Sequence, residues 1–247
     1  MPEGPSIVIL RDAAAPFVGQ TIIKADGNSR LLDFAALQGK PVLALRSWGK
    51  HFLIQLPDRS IKIHFMMFGS YRINDPKDAA PRLRLRFEDG EMDFYACSVR
   101  EIGQDLDAIY DWRTDVMSAQ WDPRLARKRL REQPQTLACD ALLDQSIFSG
   151  VGNIIKNEVL FRIRLHPVSQ VGALSPRKLG ELVEQARTYS FDFLAWKRDY
   201  VLRAHWLAHT RQTCPRCHIP FHKGKLGRTQ RRSFFCERCQ KRYVMDT

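Results

Sequence analysis

Two Cys-x-x-Cys pairs, Cys214-Pro215-Arg216-Cys217 and Cys236-Glu237-Arg238-Cys239, stand eighteen residues apart. Each pair sets two thiolates on one tight turn. The stretch between them is long enough for a β-hairpin that brings the second turn back to the first. This spacing matches a tetrahedral four-cysteine zinc site, with every coordination position filled by protein. Cys214, Cys217, Cys236 and Cys239 are therefore the expected ligands of one structural Zn(2+), with a pair of disulfides as the competing reading. Cys97 and Cys139 have no partner in sequence and read as small core residues.

Charge collects around the same pairs. Residues 211–247 hold ten Lys and Arg against Glu237 and Asp246, which is +8 before metal. Four thiolates with one zinc contribute about −2, leaving about +6. So small a segment cannot bury a sufficient core of its own, and zinc is expected to supply folding energy. Its charge marks it as a phosphate-contacting element, with a solvated structural finger as the alternative. The whole chain has 39 Lys and Arg against 27 Asp and Glu, a net +12, which calls for a polyanionic partner. No run approaches the roughly 18 apolar residues of a membrane helix. Met1 to Pro5 lacks the basic and apolar regions of a secretory signal, so an intracellular protein with no membrane partner is expected.

Ahead of the finger the 247-residue chain has two characters. Ile7, Leu10, Ala14 and Phe17 recur at helical spacing, which predicts a packed helix over 5–17. From Thr21 to about Ala96 the pattern is strand-like. Leu83 to Phe87 alternates, Glu88 to Glu91 turns, and Met92 to Ala96 returns; 41–46, 52–56 and 60–65 read as further strands. After about residue 118 the pattern is helical. Asp122-Pro123 and Ser175-Pro176 are helix starts, the second opening a helix with Leu179, Leu182, Val183, Ala186, Phe193 and Leu194 on one face. Gly150-Val151-Gly152-Asn153 suggests a tight turn at a helix N-terminus, a place where backbone N–H groups can hold phosphate. The expected architecture is multidomain α+β. An N-terminal helix and β-sandwich occupy 1–118, a helical domain 119–210 and a zinc hairpin 211–247.

Three features in this order, Met-Pro-Glu-Gly-Pro at 1–5, Gly-Val-Gly-Asn-Ile-Ile-Lys-Asn-Glu at 150–158 and the four-cysteine hairpin with Arg231 five residues before its third Cys, carry a resemblance. The chain resembles the formamidopyrimidine-DNA glycosylase and endonuclease VIII family of base-excision repair enzymes along its whole length. The resemblance implies a β-sandwich, a helix–two-turns–helix domain and a zinc finger. It also implies a bifunctional DNA glycosylase and AP lyase acting on damaged double-stranded DNA.

Carried over by resemblance, Pro2 becomes a secondary α-amine once Met1 is removed. With a pKa of about 8 it is partly neutral at cellular pH and attacks the sugar C1′ to form an iminium. β-Elimination, or β,δ-elimination, then cleaves the strand. Glu3 is implied as general acid and base on the opening sugar, and Lys50, in Trp48-Gly49-Lys50-His51, as the hairpin lysine that holds a phosphate. Met67 corresponds to the residue that fills the void left by the extruded base. Asn153 corresponds to a phosphate contact and Glu158 to an acidic residue near the sugar pocket. Arg231 corresponds to the phosphate clamp of the zinc hairpin, with Arg232 adjacent to it.

Departures from the family pattern bear on substrate. Ser6 stands where many relatives carry Glu, Ser98 to Gly103 differs from the guanine-oxidation branch, and 193–211 is short for a base-capping loop. These point to the endonuclease VIII side and to oxidised pyrimidines, with an oxidised-purine glycosylase as the alternative. A non-catalytic binder of damaged or abasic DNA is the leading alternative from another class, and a zinc-ribbon RNA-binding module is a third. A monomer in the bacterial cytoplasm is the simplest expectation.

Overall fold

The computed structural model describes residues 2–245. Met1, whose removal is expected, and Asp246, counted in the finger's charge, lie outside the described residues. The chain divides into two compact units, residues 1–111 and 112–247.

In the first unit, α1 (Gly4–Ala13) precedes eight strands. One sheet has the order β1-β6-β7-β5, from β1 (Lys24–Asp26), β5 (Ser70–Ile73), β6 (Leu83–Phe87) and β7 (Gly90–Tyr95). The other has the order β2-β3-β4-β8, from β2 (Ala44–Trp48), β3 (His51–Gln55), β4 (Ser60–His64) and β8 (Ser98–Ile102). All pairings are antiparallel. The alternation in β6 turns Leu83, Leu85 and Phe87 inward, where they meet Met92 and Phe94 of β7 and Phe52, Ile54, Ile61 and Ile63 of the other sheet. Ile7 and Leu10 of α1 complete this core. The expected helix over 5–17 is shorter than predicted. Pro16 has no N–H and its ring clashes with the carbonyl four residues back, so the α-helix ends at Ala13 and a 3₁₀ turn carries Ala15–Phe17. The strand expected over 41–46 is shifted to 44–48, leaving Pro41 in an isolated bridge to Thr21.

In the second unit, α2 (Leu106–Ile109) having closed the first, α3 (Pro123–Arg131) starts on an Asp122 cap that accepts from the amides of Arg124 and Leu125. The short α4 (Ala138–Ala141) and α5 (Asn153–Arg162) follow. The 23-residue α6 (Pro176–Arg198) starts on Ser175, whose hydroxyl accepts from Lys178 N–H. Its predicted apolar face is buried throughout, together with Tyr189 and Ser190, against Ile155 and Val159 of α5. β9 (His222–Leu226) and β10 (Arg231–Phe235) form the finger hairpin. Among the described residues no helix is long and apolar enough to cross a membrane.

Candidate active site and metal centre

Pro2, Glu3, Lys50 and Met67 belong to the first unit. Glu3 is the N-cap of α1 with extended backbone (φ −111°), and its carbonyl accepts the Ser6 N–H at 2.8 Å. Its side chain makes no cap bond, yet the residue is only 1% exposed. Without the resemblance Glu3 would read as a surface charge; the structure buries it. Burying a carboxylate costs several kcal/mol before compensation. Pro2, half-buried, is its chain neighbour.

Helix α1 packs on β2 and β3. These strands are joined by the two-residue turn Gly49-Lys50, closed by the Trp48–His51 pair. Gly49 has φ +53°, the left-handed backbone that glycine supplies at the first position of a type II′ hairpin. Lys50 is half-buried on this rigid turn. Beside it the His51 ring lies 5.6 Å from Trp48, 5.8 Å from Tyr110 and 5.4 Å from His64, its cross-strand partner. Burial, then His64, Lys62 and Lys50, push the His51 pKa down to about 4. Both cross-strand imidazoles are thus held neutral beside a lysine, and His64 is lowered by the same kinds of cause.

The loop after β4 holds apolar groups in water. Phe65 is core, 2% exposed, its ring tilted against Tyr71 and Phe94 at 6.0 and 6.3 Å, as its place at a strand end suggests. Met66, Met67 and Phe68 are exposed, Phe68 to 83%. Gly69 closes the loop by donating to Phe65 O at 2.8 Å, and a Cβ there would meet that oxygen at 2.3 Å. Three adjacent exposed apolar side chains on a tight loop contribute nothing to the core.

Asn153, Glu158, Arg231 and Arg232 belong to the second unit. Asn153 is the first residue of α5, after Gly150 (φ +98°) and the Gly152 cap. Its Oδ1 is buried with no hydrogen-bond partner among the described residues. One helix turn on, the run Lys156-Asn157-Glu158 lies wholly inside the protein. Lys156 Nζ donates to Ser233 Oγ (2.8 Å) and Arg232 O (3.2 Å). Asn157 accepts the Phe234 N–H (3.0 Å) and donates to Arg232 O (3.2 Å). The Glu158 carboxylate accepts the amides of Leu207, Ala208 and His209 at 2.8–3.1 Å. Glu158, expected as an acidic residue near the sugar pocket, is 0% exposed; its oxygens are occupied by backbone donors and it fixes the 207–209 segment. Lys156 and Asn157 were not among the expected functional residues. The sequence signal is three consecutive polar residues set between the apolar pairs Ile154-Ile155 and Val159-Leu160.

The segment after α6 is therefore tied down. Beyond the Glu158 bonds, Trp196 and His205 stack at 4.1 Å and Arg211 Nε donates to Trp206 O at 2.8 Å. His209, 4.8 Å from Trp206 and 5.4 Å from Phe234, has its pKa pushed down to about 4 by burial and by Lys156. The unfolded chain binds a proton near pH 6.5 and the native state only near 4, so stability contributed by neutral His209 is present above 6.5 and lost as pH falls toward 4. About 2 kcal/mol is expected to be lost at pH 5 relative to pH 7.5. Thermal melts of the wild type and His209→Gln over this range check it. The variant's curve is expected to be flatter, and parallel curves would remove His209 as the origin.

In the finger the four cysteine Sγ atoms all lie within 4.8 Å of one another, and Cys214 and Cys239 are 3.8 Å apart. A four-thiolate tetrahedron with metal–sulfur bonds of about 2.3 Å has an edge of about 3.8 Å, so the donor set fits one metal ion. None of the six cysteines is in a disulfide. Buried Cys97 and Cys139, pushed up to about 11 by burial, behave as inert core residues. Cys214 and Cys236 pack with Phe161, Ala208 and Phe221. Arg216 donates to Phe161 O and Arg162 O, capping the C-terminus of α5, so one of the ten basic residues serves the fold. Along the hairpin, Arg232 stands directly opposite Lys225, both exposed, and Arg231 opposite Leu226. Like charges across a ladder are destabilising until an anion arrives.

The chain matches the formamidopyrimidine-DNA glycosylase N-terminal domain over residues 1–104 and the formamidopyrimidine-DNA glycosylase H2TH domain over residues 114–189. It is 32% identical over 180 residues to the DNA-(apurinic or apyrimidinic site) lyase Nei2 of Mycolicibacterium smegmatis, covering 70% of this chain and 71% of that protein. It is 31% identical over 234 residues to endonuclease 8-like 3 of Xenopus laevis, covering 90% of this chain but only 38% of that longer protein. A crystal structure of Lactococcus lactis formamidopyrimidine-DNA glycosylase bound to abasic-site DNA superposes with a TM-score of 0.85 at 22% identity, over 97% of this chain and all of that one.

Proposed function

The chain belongs to the formamidopyrimidine-DNA glycosylase and endonuclease VIII family, and from that premise we propose that it is a bifunctional DNA glycosylase and AP lyase of base-excision repair. The observation that carries the reading is Glu3, a carboxylate 1% exposed at the N-cap of α1 and adjacent in the chain to Pro2. On this reading Met1 is removed and the Pro2 nitrogen attacks C1′ of the damaged nucleotide. The C1′–N bond to the base breaks, and the base leaves with a proton. The C1′–O4′ bond then opens, with a proton going to O4′, and leaves an iminium that acidifies C2′–H; loss of that proton and of the 3′ phosphate cleaves the strand, and water then releases Pro2. Glu3 moves protons at the opening sugar. Lys50, on its rigid turn, holds a flanking phosphate, and Met67 fills the gap left by the base.

In the second unit Asn153, Arg231 and Arg232 hold the backbone, helped by the unrelieved Arg232–Lys225 pair, which gains when phosphate approaches. The metal is one structural Zn(2+), held by Cys214, Cys217, Cys236 and Cys239; filled by four protein ligands, it supplies folding energy. The organisation on this reading is a helix and sandwich portion, a helix–two-turns–helix portion and a finger, working as a monomer on double-stranded DNA in a bacterial cytoplasm. Oxidised pyrimidines are the favoured substrates, supported by the departures at Ser6 and at residues 98–103 and by the short, tied-down segment after α6. Oxidised purines are the competing class.

Borohydride reduction during incubation with a duplex bearing one abasic site tests the reading. A single covalent adduct at Pro2 is expected. A gel shift without adduct would mark a non-catalytic binder. A panel of duplexes carrying thymine glycol, 5-hydroxyuracil or 8-oxoguanine ranks the lesions.

A further inference from the structure

The tip of the finger hairpin is held from outside the finger. Asp140, in α4, is 6% exposed. Its Oδ2 accepts the Arg228 N–H at 2.8 Å, and its Oδ1 accepts the Thr229 N–H at 3.0 Å and the Thr229 hydroxyl at 2.9 Å. Gly227 has φ +68°, and a Cβ there would lie 2.3 Å from Asp140 Oδ2. Gln230 closes the turn back onto Gly227 O. The whole tip, residues 227–230, thus folds over one carboxylate from a helix almost ninety residues earlier in the chain.

The other side of Arg231 is fixed as well. Arg232 O, Ser233 Oγ and Phe234 N are all engaged by Lys156 and Asn157 of α5. Arg231 is therefore bracketed between two anchors, one at the tip and one along β10. A four-residue turn between paired strands does not need a buried acid to close. Burying that acid is offset here by three donors that all come from the tip, which is the arrangement that fixes the tip against the helical core.

We propose that Asp140 is a positioning residue that latches the hairpin tip so that Arg231 is held ready for a DNA phosphate. The proposal rests on the reading of Arg231 as a phosphate contact. A tip freed from the latch keeps its ladder but lets Arg231 sample positions away from the backbone.

The test compares the wild type, Arg231→Ala, Asp140→Ala and the double variant, each as the zinc-loaded full chain. Affinity for a fluorescent duplex with a tetrahydrofuran abasic analogue is measured against NaCl concentration. Arg231→Ala is expected to reduce the slope of log affinity on log salt by about 0.9, one phosphate contact. Asp140→Ala is expected to reduce it by a similar amount, and the double variant no further. An Asp140 that is merely structural would lower the melting temperature and leave the slope untouched, which overturns the latch. An unchanged slope in Arg231→Ala overturns the phosphate reading itself, so the two failures are distinct. Should Asp140→Ala fail to fold, Asp140→Asn and Thr229→Val each remove one latch contact. Each is expected to weaken binding about threefold to tenfold with zinc content intact. Unchanged affinity in both would refute the latch.

Discussion

Glu3→Gln is expected to lower single-turnover strand cleavage at an abasic site by about 10²- to 10⁴-fold, the range ascribed to a positioned general acid or base. Gln keeps the size and hydrogen-bonding capacity of the side chain but cannot exchange a proton at neutral pH. The position is set by backbone: Glu3 is the N-cap of α1, whose Ile7 and Leu10 are locked into the sandwich core, so the substitution leaves the side chain starting from the same place. Pro2→Gly is expected to slow formation of the borohydride-trapped adduct, because a primary amine replaces the secondary one. A retained residue ahead of Pro2 is expected to abolish it, because an amide nitrogen is not a nucleophile. Quench-flow cleavage and mass spectrometry of the trapped peptide decide the matter. Wild-type cleavage by Glu3→Gln, or an adduct mapped to an interior lysine, would end this account.

Removal of the metal is expected to have the second large effect, and to spread beyond the finger. Structural zinc in small modules is worth about 10–16 kcal/mol of binding energy, and 211–245 has little core of its own beyond Phe221, Phe234 and Phe235. When the hairpin opens, Lys156 loses Ser233 and Arg232 O, leaving an ammonium inside the protein stripped of these acceptors. Breaking one side of a buried charged contact costs about 3–5 kcal/mol. Chelation, or Cys236→Ser, is therefore expected to depress the melting temperature of the second unit and abolish duplex binding. Calorimetry with zinc quantified per chain checks this. A verified metal-free sample that melts and binds like the wild type would contradict it.

Local chemistry was legible where periodicity and caps decide the outcome. Leu83 to Phe87 alternates in sequence and in space, and Asp122 and Ser175 cap the helices they announce. The cysteine spacing anticipated the cluster of thiols. The interior of α5 was not legible in the same way. On a helical wheel Lys156, Asn157 and Glu158 fall among apolar residues on every side, so no face sets them apart; their polarity alone reads as exposure, and partners fifty to seventy-seven residues away reverse that. Arg216 shows the same limit: counted as charge for DNA, it caps a helix instead. Glu3 needed the fold to become a buried acid, since nothing in residues 1–5 announces what α1 will pack against.

The way α5 grips the hairpin has a consequence for engineering. Exchanging residues 211–245 with the finger of a relative would strand Lys156 and Asn157 unless the incoming strand offered a hydroxyl at 233 and a free amide at 234. A working hairpin cannot then be transplanted by shuffling fingers alone. A functional chimera would have to carry α5 across with the graft, making helix and hairpin together the smallest exchangeable cassette.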